Sequence, residues 1–73
     1  MENMYTEEEQ AQMVSNALRF IVMHTKYSAN QAMRVIEIVA KYGTKARYHM
    51  TKKQNEIMDF YEAAIELQMR TLA

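Results

Sequence analysis

The stretch SANQAMRVIEIVAKYG, residues 28–43, decides how the whole chain is to be read. Ser28 followed three residues later by Gln31 is a capping box, in which each side chain satisfies a backbone N–H at a helix start. Gly43 stands where the residue after a helix takes a positive φ, which glycine adopts without steric cost. Between them, at about 100° per residue, Ala32, Val35, Ile36, Val39, Ala40 and Tyr42 share one side. Met33 and Ile38 lie at its margins, and Asn30, Arg34, Glu37 and Lys41 form a narrow polar edge. Glu37 and Lys41 stand four apart in the favourable order. A helix this apolar needs cover from at least two sides, so it reads as a core helix.

Working outward, Thr6 opens a second capping box with Glu9, and Glu7–Glu9 place negative charge in a first helical turn, where the backbone dipole favours it. Ala11, Val14, Ala17, Leu18 and Ile21 then share a face, flanked by Met13, Phe20 and His24. Lys26–Tyr27 is a joint short enough to demand an antiparallel pair or a steep corner. Thr51 and Gln54 make a third capping box, and the helix they open carries Ile57, Phe60, Tyr61, Ala64 and Leu67 on one face. The segment between, GTKARYHM, has only Ala46 and Met50 as aliphatic members and reads as a loop with at most one helical turn.

The expected fold is therefore all-α. Three helices span about 7–25, 29–42 and 52–71, the middle one innermost, with a basic loop at 43–51 and an N-terminal arm at 1–5. A compact monomer or a small homodimer would suit a single domain of 73 residues. So short a chain draws only ~3–5 kcal/mol of net stability from its core.

Composition removes several classes of function. There is no cysteine, hence no disulfide framework and no thiol nucleophile, and two histidines make a poor metal set. The longest apolar run is Phe20–Met23, far short of the ~20 residues that cross a bilayer. No basic-then-apolar leader pattern is present, so a cytoplasmic location is expected. Catalysis finds no support: His24 reads as a packing residue, His49 has no carboxylate near it in sequence, and Asp59, Glu62 and Glu66 form a solvated stripe. A non-enzyme needing no cofactor and no metal is expected.

Charge order says more than the net charge of zero. Residues 1–9 hold four acids and no base, residues 10–55 hold eight bases and one acid, and residues 56–73 hold four acids and one base. Lys41, Lys45, Arg47, Lys52 and Lys53 are the densest group, with Tyr42, Tyr48 and His49 among them. Cations beside aromatics suit phosphate neutralisation and base stacking, and by the same Coulomb logic they suit an acidic protein surface. The plain alternative is that the acidic ends fold back on the basic middle. Lys52 and Lys53 stand out, because positive charge in a first helical turn opposes the dipole. AKYGTKARYHM has the look of a helix-turn-helix corner, yet it lacks the aliphatic anchor of a recognition helix.

Eight methionines offer adaptable contact surface. Met33, Met50 and Met58 fit packing roles, whereas Met23 and Met69 fall toward the polar side and join Met1, Met4 and Tyr5 as a candidate apolar contact. The polar arm MENMYTEEE ahead of a short helical body, with many methionines and no reactive constellation, resembles in character small phage-encoded proteins that bind host RNA polymerase. That resemblance implies a larger protein partner and a regulatory, inhibitory or modulating role in transcription. The candidate binding residues are Met4, Tyr5, Lys41, Lys45, Arg47, Tyr48, Lys52 and Lys53. DNA or RNA is the alternative partner, a structural or oligomerising subunit the third possibility, and no membrane role is expected.

Overall fold

Each of the three capping boxes forms, and each begins a helix. The Thr6 N–H donates to Glu9 Oε1 at 2.9 Å and the Glu9 N–H to Thr6 Oγ1 at 3.1 Å. Ser28 with Gln31, and Thr51 with Gln54, repeat the exchange. The resulting elements are α1 (Glu7–His24), α2 (Ala29–Tyr42), a 3-10 helix (Gly43–His49) and α3 (Lys52–Leu72). This computed structural model describes residues 5–72, with side chains as far as Thr71. Most of the expected arm, including Met1 and Met4, lies outside the described residues. Among the described residues there is no strand, and no helix is long and apolar enough to cross a membrane.

α1 and α3 run antiparallel. The Asn16 side chain donates to Gln68 Oε1 at 3.0 Å, and Gln68 Nε2 donates to the Met13 carbonyl at 2.8 Å, tying the start of α1 to the end of α3. Met13, Ala17 and Ile21, spaced by four, are the buried stripe of α1, and Ile57 and Ala64, spaced by seven, that of α3. Small alanines at Ala17 and Ala64 let the two backbones approach. At the opposite end Ile21, Val35 and Ile57, one from each helix, are the largest fully buried side chains. Ala32 and Tyr27 complete this cluster, with Leu18, Met50, Met58, Phe60 and Tyr61 packed around it.

α2 packs against α1, α3 and the 3-10 helix alike, as its middle position requires. Its covered stripe is nonetheless narrower than the sequence suggests. Ala32 and Val35 are buried, Ile36, Ile38 and Val39 half-buried, and Ala40 and Tyr42 exposed. Met33, expected to pack, is 49% exposed. A chain this small has too little interior to take in every apolar group its sequence offers. The molecule is a slab of 31 × 28 × 17 Å in which α2 covers one flank of the α1/α3 pair near the Ile21–Ile57 end.

Two details depart from expectation. Tyr27, in what reads as a mere joint, is 5% exposed and plugs the corner between α1 and α2. Thr25 Oγ1 holds the turn, donating to the Ile21 carbonyl and accepting from the Tyr27 N–H. The stretch that begins at Gly43 is a 3-10 helix of seven residues, longer than a single turn, anchored by buried Ala46. Gly43 itself sits at φ 60°, ψ −129°.

That backbone conformation is hostile to any residue with a Cβ, although nothing lies within 4 Å of where a Cβ would stand. Gly43→Ala should therefore cost about 1–3 kcal/mol purely through the backbone, read as a lowered Tm in thermal unfolding. An unchanged Tm would mean that the corner is not fixed as described. Burial first, and then the Glu56 carboxylate, push the Tyr27 phenol above its usual value. A group whose folded pKa is raised contributes stability that is complete below the unfolded value and fades as pH climbs past it. Stability should thus fall above about pH 10. Tyr27→Phe should flatten that alkaline limb in urea titrations, leaving the part due to Tyr61, whose phenol burial also raises.

Candidate functional site

The basic segment is placed by two contacts of opposite character. Ala46, one turn into the 3-10 helix, is buried at 3% exposure and pins the segment to the body. Arg47, the next residue, turns outward onto α3. One guanidinium nitrogen donates to Asn55 Oδ1 at 3.1 Å, and the other reaches Asp59 Oδ1 at 2.7 Å and Glu62 Oε1. Asn55, Asp59 and Glu62 follow at four and then three residues, so they rise along one face of α3 and present a rail to a single arginine. Asn55 returns the contact, its amide donating to the Arg47 and Met50 carbonyls. The carboxylates of Asp59 and Glu62 hold the Arg47 guanidinium above its already high pKa, against a smaller opposing effect of burial. The stripe of acids that reads from sequence as merely solvated is in fact the seat of Arg47.

Around this clasp the other cations stand free of carboxylates. Among the described residues only Arg47 and Arg70 form ion pairs, Arg70 with Glu66 one turn back on the same helix. Lys41, Lys45, Lys52 and Lys53 are all exposed. The Lys41 ammonium lies 5.4 Å from the Tyr42 ring centroid, and Tyr42 stacks on His49 with centroids 3.6 Å apart and planes 12° from parallel. That stack closes the 3-10 helix against the last turn of α2. Tyr48, between them, is 88% exposed, the most exposed large apolar side chain of the described chain. Lys53 lines a shallow hollow with Gln31, Arg34, Thr51 and Gln54.

The expected binding residues thus divide. Lys41 in the last turn of α2, Lys45 and Tyr48 in the 3-10 helix, and Lys52 and Lys53 in the first turn of α3 follow one another along the chain on either side of Arg47, and all are exposed. Arg47 is there too, but its charge is committed within the chain. Tyr5 is elsewhere: half-buried against Gln10, Met13, Val14, Ile65 and Met69, it belongs to the opposite end of the α1/α3 pair. Ile65 and Met69 stand 13 and 17 residues along α3 from Lys52, about 20–25 Å at 1.5 Å per residue. Arg34 is the member that sequence reasoning misses. It reads as part of the polar edge of α2, and only the crossing of α2 over the start of α3 brings it beside Lys53.

His24, expected to be partly buried, is exposed and lies against Phe20 with ring centroids 4.7 Å apart. Met23 is exposed at 71% and Met69 at 42%, Met69 beside Tyr5 and Ile65. An open groove of about 340 Å³ runs between the start of α1 and the end of α3, lined by Gln12, Met13, Asn16, Leu67 and Gln68 among others. No group of three or more His, Asp or Glu side chains among the described residues could hold a metal ion. No protein family, no curated protein and no solved structure matches this chain.

Reversing the charge of Arg47 would set a third carboxylate against those of Asp59 and Glu62. Arg47→Glu should release the 3-10 helix while α1 and the body of α3 stay folded. Hydrogen exchange reads this directly: the Met50 N–H, bonded to the carbonyl of residue 47, should lose protection, and the α1 amides should keep theirs. Equal loss throughout would make Arg47 part of global stability, and no loss would make the clasp irrelevant.

Proposed function

We propose that this protein is a non-catalytic regulator that docks on a larger protein, meeting an acidic surface with the end that carries Lys41, Lys45, Tyr48, Lys52 and Lys53. The observation that carries the reading is the contrast between committed and uncommitted cations. Arg47 is spent on holding the segment in place, while the lysines around it have no carboxylate of their own. A rigid base, anchored by Ala46, thus presents flexible charges and one large exposed ring. Charges so arranged steer an oppositely charged partner and fix its register, and an aromatic at their centre supplies apolar contact. Lysines in the first turn of α3 oppose its dipole, a small local penalty of the sort found where function asks for it.

The resemblance in size and character to small phage proteins that dock on RNA polymerase supports transcription as the process and that enzyme as the partner. A nucleic-acid reading has one observation in its favour: Tyr48 offers an open face among the same lysines, as base stacking requires. The two readings differ in their response to salt and to nuclease.

The variant Lys41→Glu, Lys45→Glu changes two exposed residues without touching the Arg47 clasp, so its helicity should match that of the parent. Immobilised on beads, the parent should retain purified bacterial RNA polymerase, and capture one defined large partner from nuclease-treated bacterial lysate. The variant should bind it at least ~10-fold more weakly, since each reversed charge both removes an attraction and adds a repulsion. Undiminished capture would remove the basic end from the site. Bound material that disappears with nuclease, with affinity falling steeply in salt, would transfer the function to nucleic acid.

A further inference from the structure

The hollow between α2 and the start of α3 has a chemistry finer than net positive charge. It holds about 200 Å³ and is lined by Gln31, Arg34, Thr51, Lys53, Gln54 and Ile57. Gln31, Thr51 and Gln54 carry side-chain oxygens, and the capping boxes occupy each of them. Gln31 Oε1 accepts the Ser28 N–H at 2.8 Å, Gln54 Oε1 the Thr51 N–H at 2.9 Å, and Thr51 Oγ1 the Gln54 N–H at 3.1 Å. An amide whose oxygen is turned back to its own helix has its two N–H donors left to offer. The Gln31 and Gln54 side-chain nitrogens donate to no other described group.

The charged members agree. Arg34 from α2 and Lys53 from α3 are exposed, and neither forms an ion pair among the described residues. The acids nearest them in sequence are placed otherwise. Glu37 lines a separate hollow with Arg34, Ile38 and Gln54 and pairs with no cation there, while Glu56 lies at the Tyr27 phenol. Two cations sharing one hollow repel each other, and Lys53 opposes the dipole of its helix as well. Ile57, 2% exposed, supplies an apolar floor. The hollow therefore offers donors and positive charge over an apolar base, with no side-chain acceptor left free.

We propose, resting on the docking function above, that this hollow receives a single glutamate side chain of the acidic protein partner. Its carboxylate accepts from Arg34, Lys53 and the two glutamine amides, and its methylenes lie against Ile57. Hydrogen bonds to an ionised acceptor are about twice as strong as neutral ones, and the planar guanidinium of Arg34 matches the two oxygens of a carboxylate. Size sets the occupant: about 200 Å³ falls below the ~300–1,000 Å³ of small-molecule pockets, so one side chain enters rather than a free ligand. The apolar floor suits a carboxylate on an aliphatic stem better than a nucleic-acid phosphate, which is carried on a polar sugar. Lys41 and Lys45 then steer the partner, and Arg34 with Lys53 fixes its register.

The probe is a blocked peptide of alanines around one central glutamate, titrated into the isotope-labelled chain and followed by amide NMR. At ~0.1 M salt, where charges are screened beyond about 10 Å, shifts should appear at Gln31, Arg34 and Thr51–Gln54, the side-chain amides of Gln31 and Gln54 included. They should saturate at about 10 mM peptide, and the same peptide with glutamine at its centre should produce none. Arg34→Gln and Lys53→Gln should each weaken binding about two- to fivefold with unchanged helicity, while Arg19→Gln, at an exposed cation of α1, should leave it unaltered. Shifts that do not saturate, shifts spread evenly over every lysine, or indifference to Arg34→Gln overturn the proposal. So does tighter binding of a short single-stranded oligonucleotide at the same residues, which would assign the hollow to phosphate. The peptide stands apart from the captured partner, so failure here leaves docking through Lys41 and Lys45 in place, and failed capture leaves these shifts unchanged.

Discussion

One contact holds this molecule together: Ile21, Val35 and Ile57, each the deepest large side chain of its helix, meet at one end of the slab. A chain of this length has room for about one such junction. Each helix is fixed by having a single large residue there, so the rest of each helix is comparatively free to serve other ends. α1 and α3 extend well past the junction, held only by the Met13–Ala17–Ala64 seam and the amides of Asn16 and Gln68. α2 has its junction residue, Val35, midway along it, and its last turn is met by Gly43 and the Tyr42–His49 stack. The position of every charged group follows from this layout, because no charged side chain among the described residues is buried.

Charge is sorted along the sequence in blocks, acid, base and acid, and the fold resolves the blocks only in part. Arg47 crosses from the basic block to Asp59 and Glu62 of the acidic one, and in doing so fixes a segment whose only buried member is Ala46. A 3-10 helix of seven residues has poor hydrogen-bond geometry of its own. External contacts at Ala46, Arg47 and the Tyr42–His49 stack supply what its backbone lacks. The neighbouring lysines are not drawn into this arrangement, since their ammonium groups find no fixed acid within reach. Anchoring one cation while leaving its neighbours unpaired gives a surface that is rigid in its base and uncommitted in its charge.

How much of this is legible in the sequence depends on how far apart the interacting residues stand. Capping boxes act over three residues, and all three are readable as Thr6–Glu9, Ser28–Gln31 and Thr51–Gln54. Helix faces act over three to seven residues, and Ala17 and Ile21 on α1 and Ile57 and Ala64 on α3 are readable from them, whereas Ala11 and Leu67, placed on the same faces by their period, are exposed and Met13, placed at the flank, is buried. The 3-10 helix is not, because its support comes from one alanine and from an arginine whose partners lie 8, 12 and 15 residues on. The Asn55–Asp59–Glu62 rail is visible as a stripe, yet nothing local says that Arg47 sits on it. Tyr27 escapes for the opposite reason: a two-residue joint looks solvent-facing until α1 and α2 close on it. Arg34 joins the basic end only through the crossing of α2 over α3, a tertiary fact. Tyr5 leaves it on the same account, since the antiparallel α1/α3 pair carries it to the far end.

That separation decides how the surface can be used. The basic end rests on the junction, where the fold is thickest and the Arg47 clasp keeps the scaffold still. The open flank runs along the thinner part, where two helices share a narrow seam. Fixed geometry under mobile charges is what the proposed docking on an acidic partner asks of the basic end. Glu8 and Lys52 each stand at the first turn of a helix, one agreeing with the dipole and the other opposing it. Within one chain nothing relates them, since α1 and α3 begin at opposite ends. Lys52 therefore keeps its unfavourable place with no carboxylate among the described residues paired to it.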